Sequence, residues 1–188
     1  MMFEILLSKI PGCFELRPKM FEDVRGRFVK TFHKDFFLQH GLNTEWREEY
    51  YSTSSQGVLR GLHFQLPPHD HEKLVYCSHG EVLDAVVDLR VGSPTYGQYA
   101  LFRLNSEEAN MVYVPRGLAH GFFTLSKIAT MMYKVASVYA SQHDSGILWN
   151  SAGIEWPEKL PILSVRDAGF KKLADFESPF VYEAKVRS

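Results

Sequence analysis

The clearest pattern in the chain is an alternation of apolar and polar residues with a period of two, which is typical of β-strands. It is strongest in the segment EVLDAVVDLRV, residues 81–91. One face of this segment is aliphatic: Leu83, Ala85, Val87 and Leu89. The other face combines two valines with two carboxylates: Val82, Val86, Asp84 and Asp88. We therefore predict a strand over this segment.

Three further segments behave in the same way, namely ANMVYVP (109–115), HGFFTL (120–125) and ATMMYKVASVYA (129–140). The turn sequences RG, LS and SQHDSG bound them, and such spacing predicts an antiparallel β-sandwich or barrel. Helix is scarce: we predict one short helix in 33–42, capped at Gly41, and a second in 166–178. The 14 Phe and 9 Tyr residues suit an all-β core.

The bulk composition limits the domain count and the classes of partner. A chain of 188 residues can bury one sizeable core, so residues 1–188 are predicted to form a single domain. The 21 basic and 22 acidic residues leave a net charge of -1, which favours neither nucleic acid nor an anionic membrane. Cys13 and Cys77 are no disulfide framework, and acidic Glu4 in a brief apolar run does not suit a signal peptide. We expect a cytoplasmic location.

Several polar residues interrupt these apolar strand patterns, and burial of an unpartnered charge costs several kcal/mol. They are Arg60 and His63 in LRGLHF, Lys73 in HEKLVY, His120 in PRGLAHGF, and Tyr133 with Lys134 in MMYKVAS. Neighbouring residues of a strand point to opposite faces, so only one of Tyr133 and Lys134 can face a cavity. Taken singly, each position also fits a structural role: an internal hydrogen bond, an edge-strand charge or a satisfied core tyrosine.

A metal site is the first alternative. His69 and His71 have the H-x-H spacing of some metal ligands, but Pro67 and Pro68 favour an exposed loop there. The segment PRGLAH (115–120) matches part of the second metal motif of cupins, yet Thr124 stands where that motif has Asn. We therefore expect no metal and no cofactor, and the partial match favours a cupin-type jelly roll.

Longer motifs resemble one family along nearly the whole chain. They are DVRGRF from residue 23, GVLRGLHFQ (57–65), KLV (73–75), GEVLDAVVDLRVGSPTYGQY (80–99), VPRGLAHGFFTLS (114–126), MYK (132–134), GILWN (146–150), IEWP (154–157) and LSVRD (163–167). In this order they are similar to the dTDP-4-dehydrorhamnose 3,5-epimerases. The resemblance implies an isomerase without a cofactor, a nucleotide-linked 4-keto-6-deoxy sugar as substrate, and a homodimer. The fold it implies is all-β, a cupin-type jelly roll with a few short peripheral helices.

The resemblance also implies roles for individual residues. His63 matches the base, Asp167 the carboxylate that orients it, and Tyr133 the proton donor on the other face of the sugar ring. A ketone at C4 acidifies the protons on C3 and C5, so a neutral imidazole can remove one if the enolate is stabilised. Lys73 is expected to stabilise that enolate. The remaining predicted substrate contacts are Arg25, Arg60, His120, Tyr139, Asp144 and Arg166.

Three positions depart from the family pattern in the part expected to read the nucleotide. Lys30 stands where Glu is usual, and Glu48 and Tyr50 stand where Gln and Asn are usual. Base recognition by hydrogen bonds is sensitive to such exchanges. The base is therefore open between dTDP and CDP or another nucleotide, and inversion is open between C3, C5 or both. A metal-dependent cupin and a non-catalytic sugar-binding jelly roll are the alternatives from other classes.

Overall fold

The computed structural model describes residues 2–184, in which antiparallel β-strands predominate. The strands are β1 (Phe3–Leu7), β2 (Phe14–Pro18), β3 (Met20–Asp23), β4 (Gly26–Val29), β5 (Glu48–Ser55), β6 (Leu59–Gln65), β7 (Lys73–His79), β8 (Glu81–Asp88), β9 (Tyr99–Asn105), β10 (Met111–Val114), β11 (Leu118–Thr124), β12 (Ile128–Val135) and β13 (Asp144–Gly146). The helices are α1 (Lys34–Gln39), α2 (Val165–Ala168) and a 3₁₀ turn at Leu173–Asp175. The single domain proposed for 1–188 stays a prediction, since 1 and 185–188 lie outside the described residues.

Two large sheets face each other. The six-stranded sheet has the order β1-β2-β10-β7-β12-β5, and the five-stranded sheet has the order β13-β6-β11-β8-β9. Strands β3 and β4 pair only with each other and form a separate hairpin. The predicted antiparallel sandwich is confirmed. Within residues 2–184, no helix combines the length and the apolar character needed to cross a membrane.

The apolar core lies in three layers. The central layer fills the space between the sheets with residues such as Val75, Val86 and Met131. A second layer lies between the five-stranded sheet and the segment near the chain's end, and a third packs α1 on the six-stranded sheet through Phe37. Strand β8 is consequently covered on both sides, so its predicted alternation separates two buried faces. Asp84 lies on the face toward the central layer, with a side chain that has no solvent exposure.

The predicted helices differ in extent from those observed. Helix α1 is capped by the side chain of His33, and the chain leaves it through Gly41 at a φ of 64°, a left-handed conformation that glycine adopts without steric cost. The predicted tail helix is two separate turns, α2 and the 3₁₀ turn, because Gly169 ends the first one. These short elements bring Asp167 to the end of the sandwich where the cavity opens.

Candidate active site

A cavity of about 380 Å³ opens between the two sheets. Its walls come from β5, β7 and β12 of one sheet and from β6 and β11 of the other, so groups on opposite walls can contact opposite sides of a ligand. Ten of the predicted site residues line it: Glu48, Tyr50, Arg60, His63, Lys73, His120, Tyr133, Tyr139, Asp144 and Arg166. Asp167 lies directly behind His63.

His63 and Asp167 form a hydrogen-bonded pair although 104 residues separate them in sequence. The Nε2 atom of His63 lies 2.9 Å from Oδ1 of Asp167, and the backbone N–H of Gly61 donates to Oδ2 at 3.1 Å. Burial alone would raise the pKa of Asp167, but these hydrogen bonds lower it to about 2. Burial lowers the pKa of His63 despite the carboxylate. The pair therefore combines an ionised carboxylate with a neutral imidazole, whose Nδ1 remains to accept a proton.

A bulge explains why Arg60 and His63 share one cavity although residues three apart on a regular strand face opposite ways. Arg60 pairs with Phe122 and His63 with His120, so the two residues between Arg60 and His63 oppose only one on β11. Glycines permit this close approach, because a Cβ on Gly61 would lie 2.6 Å from the Cα of Gly121. Arg60 Nε donates to Ser54 Oγ at 2.9 Å, which holds the guanidinium at the cavity wall.

Tyr133 extends from the opposite sheet and is 8% exposed. Its hydroxyl lies 3.3 Å from Oγ of Ser52, and burial raises its pKa, so the phenol stays protonated at neutral pH. The neighbouring Lys134 points away and forms an ion pair with Glu49. The prediction that only one of Tyr133 and Lys134 faces the cavity is confirmed.

Lys73 connects the two walls. It begins β7 in the six-stranded sheet, and its Nζ donates to the carbonyl oxygen of His63 at 3.2 Å. Burial lowers its pKa to about 8, against the opposing effect of Asp144 and Asp84. A buried ammonium group that is shielded from water in this way interacts strongly with an oxyanion.

His120 has a carboxylate partner of its own. Its Nε2 lies 2.7 Å from Oδ2 of Asp84, and both side chains are almost completely buried. The other oxygen of Asp84 has no hydrogen-bond partner among the described residues. Burial raises the pKa of Asp84, an effect that His120 and Lys73 only partly offset.

Comparison with known proteins decides among the classes of jelly roll. The family model described as dTDP-4-dehydrorhamnose 3,5-epimerase matches residues 7–175. The enzyme of that name from Shigella flexneri is 40% identical over 174 residues, which are 91% of this chain and 96% of the relative. The chain belongs to the dTDP-4-dehydrorhamnose 3,5-epimerase family. The predicted family, fold and enzyme class, an isomerase that acts as a sugar epimerase, are therefore confirmed.

Solved structures of this epimerase family agree with the fold. One is a dTDP-6-deoxy-D-glucose-3,5-epimerase from Legionella pneumophila in complex with dTDP-4-keto-L-rhamnose, with a TM-score of 0.92 and 33% identity. The match covers 97% of this chain and 100% of that one. Another is a 3′-monoepimerase from Streptomyces bikiniensis in complex with dTDP-quinovose, with a TM-score of 0.85, 33% identity, and coverage of 89% and 86%.

A charged cluster lies at the mouth of the epimerase cavity. The Asp144 carboxylate forms an ion pair with Arg166 and accepts a hydrogen bond from the Tyr139 hydroxyl at 3.3 Å. The Nε atom of Arg166 also lies 3.5 Å from Oδ1 of Asp167. Arg166 therefore bridges the mouth and the carboxylate behind His63.

Arg25 and Lys30 do not line the cavity. Arg25 lies in the turn of the β3–β4 hairpin, where it pairs with Asp23, and Lys30 directly follows β4. Both are exposed. The hairpin is attached to the body through Arg27, which donates to Glu107 and to two backbone carbonyls. Neither residue lines the cavity of its own chain, and the predicted substrate contacts of Arg25 and Lys30 stay predictions.

The predicted loop at His69 and His71 is observed between β6 and β7, but the prediction that it is exposed is wrong for these two residues, which are half-buried. His71 lines the cavity and bonds Ser137 Oγ at 2.6 Å through Nδ1, and burial lowers its pKa to about 3. The ring of His69 lies against that of His143 in a tilted arrangement, with centroids 4.6 Å apart and planes inclined by 42°. No group of three His, Cys, Asp or Glu side chains in residues 2–184 is arranged to hold a metal ion.

Two site residues were assigned no role from the sequence. Asp84 lies behind His120. The sequence pattern could have indicated it, because this carboxylate shares a strand face with Val82 and Val86, which are both buried. Ser52 touches the Tyr133 hydroxyl from the edge strand β5. The run of serines and threonines at 52–55 carries no signal for that contact, because only the register between β5 and β12 creates it.

Proposed function

We propose that this chain inverts C3 and C5 of a dTDP-linked 4-keto-6-deoxyhexose through an enolate, with His63 as base and Tyr133 as acid. The observation that carries the proposal is their placement on opposite walls of one cavity. His63 belongs to the five-stranded sheet and Tyr133 to the six-stranded sheet. Inversion requires removal of a proton from one face of the ring and delivery to the other, and this geometry provides both.

His63 takes the proton in the first step. Nε2 carries hydrogen toward ionised Asp167, so Nδ1 is the basic nitrogen. The C–H electron pair forms a double bond to C4, and the carbonyl electrons move to O4, which gives the enolate. His63 becomes an imidazolium whose charge Asp167 balances. No cofactor is needed, because the C4 carbonyl of the substrate accepts the electron pair.

Lys73 and His120 stabilise the oxygen that becomes negative. Lys73 supplies a buried ammonium beside His63. His120 lines the cavity, and its Nδ1–H is the donor when the carboxyl group of Asp84, whose pKa is raised, holds the proton shared with Nε2. Each well-placed donor of this kind is typically worth about 3 kcal/mol of transition-state stabilisation. Because the ammonium is already desolvated, little reorganisation is needed when the charge develops.

Tyr133 completes the inversion by giving its hydroxyl proton to the opposite face of the carbanion carbon. The raised pKa keeps the phenol protonated until the substrate draws the proton away. The phenolate then regains a proton, and the imidazolium of His63 loses one, so the enzyme returns to its starting state. Repetition at the second carbon inverts C3 and C5 with the same pair.

The nucleotide end of the substrate is proposed to bind at the mouth. Arg60 and Arg166 provide guanidinium groups that match a diphosphate. The two solved relatives described above hold dTDP-linked sugars, which supports dTDP as the nucleotide here. A thymidine preference over cytidine is part of this proposal, with Glu48 and Tyr50 at the same end.

We also propose the homodimer and the cytoplasmic location implied by the family resemblance. The β3–β4 hairpin supports the dimer, because it pairs with neither sheet and exposes Phe21 and Phe28 at 54% and 62%. A second copy seated against it would cover these rings. It would also bring Arg25 and Lys30 near another chain, which fits their predicted substrate contacts.

Deuterium exchange tests the assignments. Protein is incubated in D₂O with dTDP- and CDP-linked 4-keto-6-deoxyglucose, and NMR follows exchange and inversion at C3 and C5. We expect both processes with dTDP, no exchange in His63→Asn, and exchange without inversion in Tyr133→Phe. Wild-type exchange in His63→Asn would remove His63 as base. Exchange at only one of the two carbons would show that the enzyme is a monoepimerase, and the proposal of inversion at both carbons would be wrong.

A further inference from the structure

Tyr133 has a second aromatic residue lying flat against it. The rings of Tyr50 and Tyr133 have centroids 4.8 Å apart and planes inclined by 18°, a stacked pair. They are direct partners in the register of β5 and β12, so the contact follows from strand pairing. Such an aromatic pair holds both rings in a narrow range of orientations.

The other contacts of Tyr133 hold its ring less firmly. The hydroxyl reaches Ser52 at 3.3 Å, which is long for a hydrogen bond between hydroxyls. The His120 ring approaches edge-on at a centroid distance of 6.2 Å. Of the two aromatic neighbours of Tyr133, Tyr50 is therefore the one that lies flat against its ring.

The stack is not needed to hold β5 in the sheet. This strand pairs with β12 without interruption from Glu48 to Ser55. Tyr50 is also 45% exposed and lines the cavity, unlike the core residues around Tyr133. A large, partly exposed ring kept at the wall of the cavity, against the proposed acid, has a role that strand stability does not require.

We infer that Tyr50 is a positioning residue that fixes the Tyr133 hydroxyl and so sets how often the enolate is protonated on the inverted face. This inference rests on the proposed function. The enolate has two fates: return of a proton from the His63 side restores the original configuration, and proton delivery from Tyr133 inverts it. A loosely held Tyr133 ring slows only the second fate.

The informative quantity is the ratio of inverted product to deuterium exchange in D₂O, measured by NMR with the dTDP-linked substrate. Tyr50→Leu keeps apolar bulk but loses the flat face, and we expect the ratio to fall about tenfold, since small misplacement of a reacting group has effects of this order or larger. Tyr50→Phe keeps the ring and should hold the wild-type ratio, whatever its total rate. Tyr51→Leu is the matched control, because Tyr51 is the neighbouring tyrosine of β5 and does not line the cavity.

Tyr133→Phe is measured in the same series. If it abolishes inversion while Tyr50→Leu keeps the wild-type ratio, the positioning role of Tyr50 is wrong and the proposed function stands. If Tyr133→Phe itself inverts normally, both fail. An equal loss of exchange and inversion in Tyr50→Leu would also overturn the inference, because a general structural defect or weaker substrate binding slows both fates alike.

Discussion

Two His–Asp pairs have their histidines on neighbouring strands of this molecule, and they differ in burial and in the bonding of the carboxylate. His63 and His120 are register partners on β6 and β11. His63 is 27% exposed in its side chain and faces the cavity, whereas His120 is 4% exposed. The surroundings of the two carboxylates differ further, and they decide what each pair can do.

Asp167 is well satisfied and Asp84 is not. Asp167 receives hydrogen bonds from His63 and from the backbone of Gly61, and its pKa is lowered to about 2. Asp84 binds His120 through one oxygen, leaves the other without a partner in the described residues, and has a raised pKa. An ionised carboxylate can stabilise a full imidazolium, which a base needs. The raised pKa of Asp84 favours its protonated form, which donates to Nε2 of His120 and leaves the hydrogen of that imidazole on Nδ1, where it can be donated to a ligand.

The largest expected effect comes from the first pair. Asp167→Asn removes the charge that balances the His63 imidazolium and can reverse the imidazole tautomer, so kcat should fall about 10⁴-fold. A carboxylate with a lowered pKa stabilises the fold above its unfolded pKa of 3.8, and this contribution disappears as pH falls toward 2. Asp167→Asn should therefore also lower the melting temperature at pH 7. Steady-state kinetics and thermal unfolding check both effects; a kcat within tenfold of wild type would contradict the assignment.

Lys73 lies beside both pairs and is expected to set the alkaline limit of activity. Its pKa of about 8 means that the ammonium is lost as pH rises through that value. The lowered pKa of His63 places the acid limit below 6.5, where the base becomes protonated. The profile of kcat/KM against pH should be bell-shaped between these limits.

Substitution of Lys73 separates its charge from its shape. Lys73→Met should lower kcat about 10²- to 10³-fold. Lys73→Arg keeps a positive charge at all accessible pH values, so its remaining activity should lose the decline near pH 8. An unchanged alkaline limit in Lys73→Arg would assign that limit to another group.

The second pair is expected to respond more weakly and with the opposite effect on stability. The amide group of the Asn side chain in Asp84→Asn can donate to Nε2 of His120 and so keep the hydrogen on Nδ1, and kcat should therefore fall only about tenfold. A carboxyl group with a raised pKa favours folding less as pH rises from its unfolded pKa toward its folded pKa, so Asp84 lowers stability at pH 7 relative to low pH. The melting temperature of Asp84→Asn should equal or exceed that of wild type at pH 7. A lower value would show that the bare oxygen of Asp84 has a partner in solution.

The sequence predicts these regions to different depths. Period-two patterns correctly place strands within 81–88, 111–114 and 128–135, because each has a buried face. They cannot show that Arg60 and His63 share a cavity, since this depends on a bulge created by the approach of Gly61 to Gly121. Asp167 came only from the family resemblance, because no local pattern links it to a histidine 104 residues away.

Asp84 shows a second limit of pattern reasoning. Alternation on β8 separates its two faces but does not say which one is interior when both are covered. The carboxylate was therefore visible as an exception in an apolar strand, and its partner His120 was not. Partner choice between strands depends on register, which the pattern of one strand does not contain.

The smallest effect is expected from Ser164, which holds the helix that carries Asp167. Its carboxylate stands on the four-residue helix α2, whose cap is Ser164: Oγ accepts the backbone N–H of Asp167 at 3.0 Å. Asp84 has no such dependence, because it lies within a central strand. Ser164→Ala should lower the free energy of unfolding by about 1 kcal/mol. It should also reduce kcat about threefold with little change in KM, since the position of Asp167 becomes less fixed. Ser164→Thr, which keeps the hydroxyl, should restore both values; kinetics and denaturant unfolding of the two variants together distinguish a lost cap from a general loss of packing.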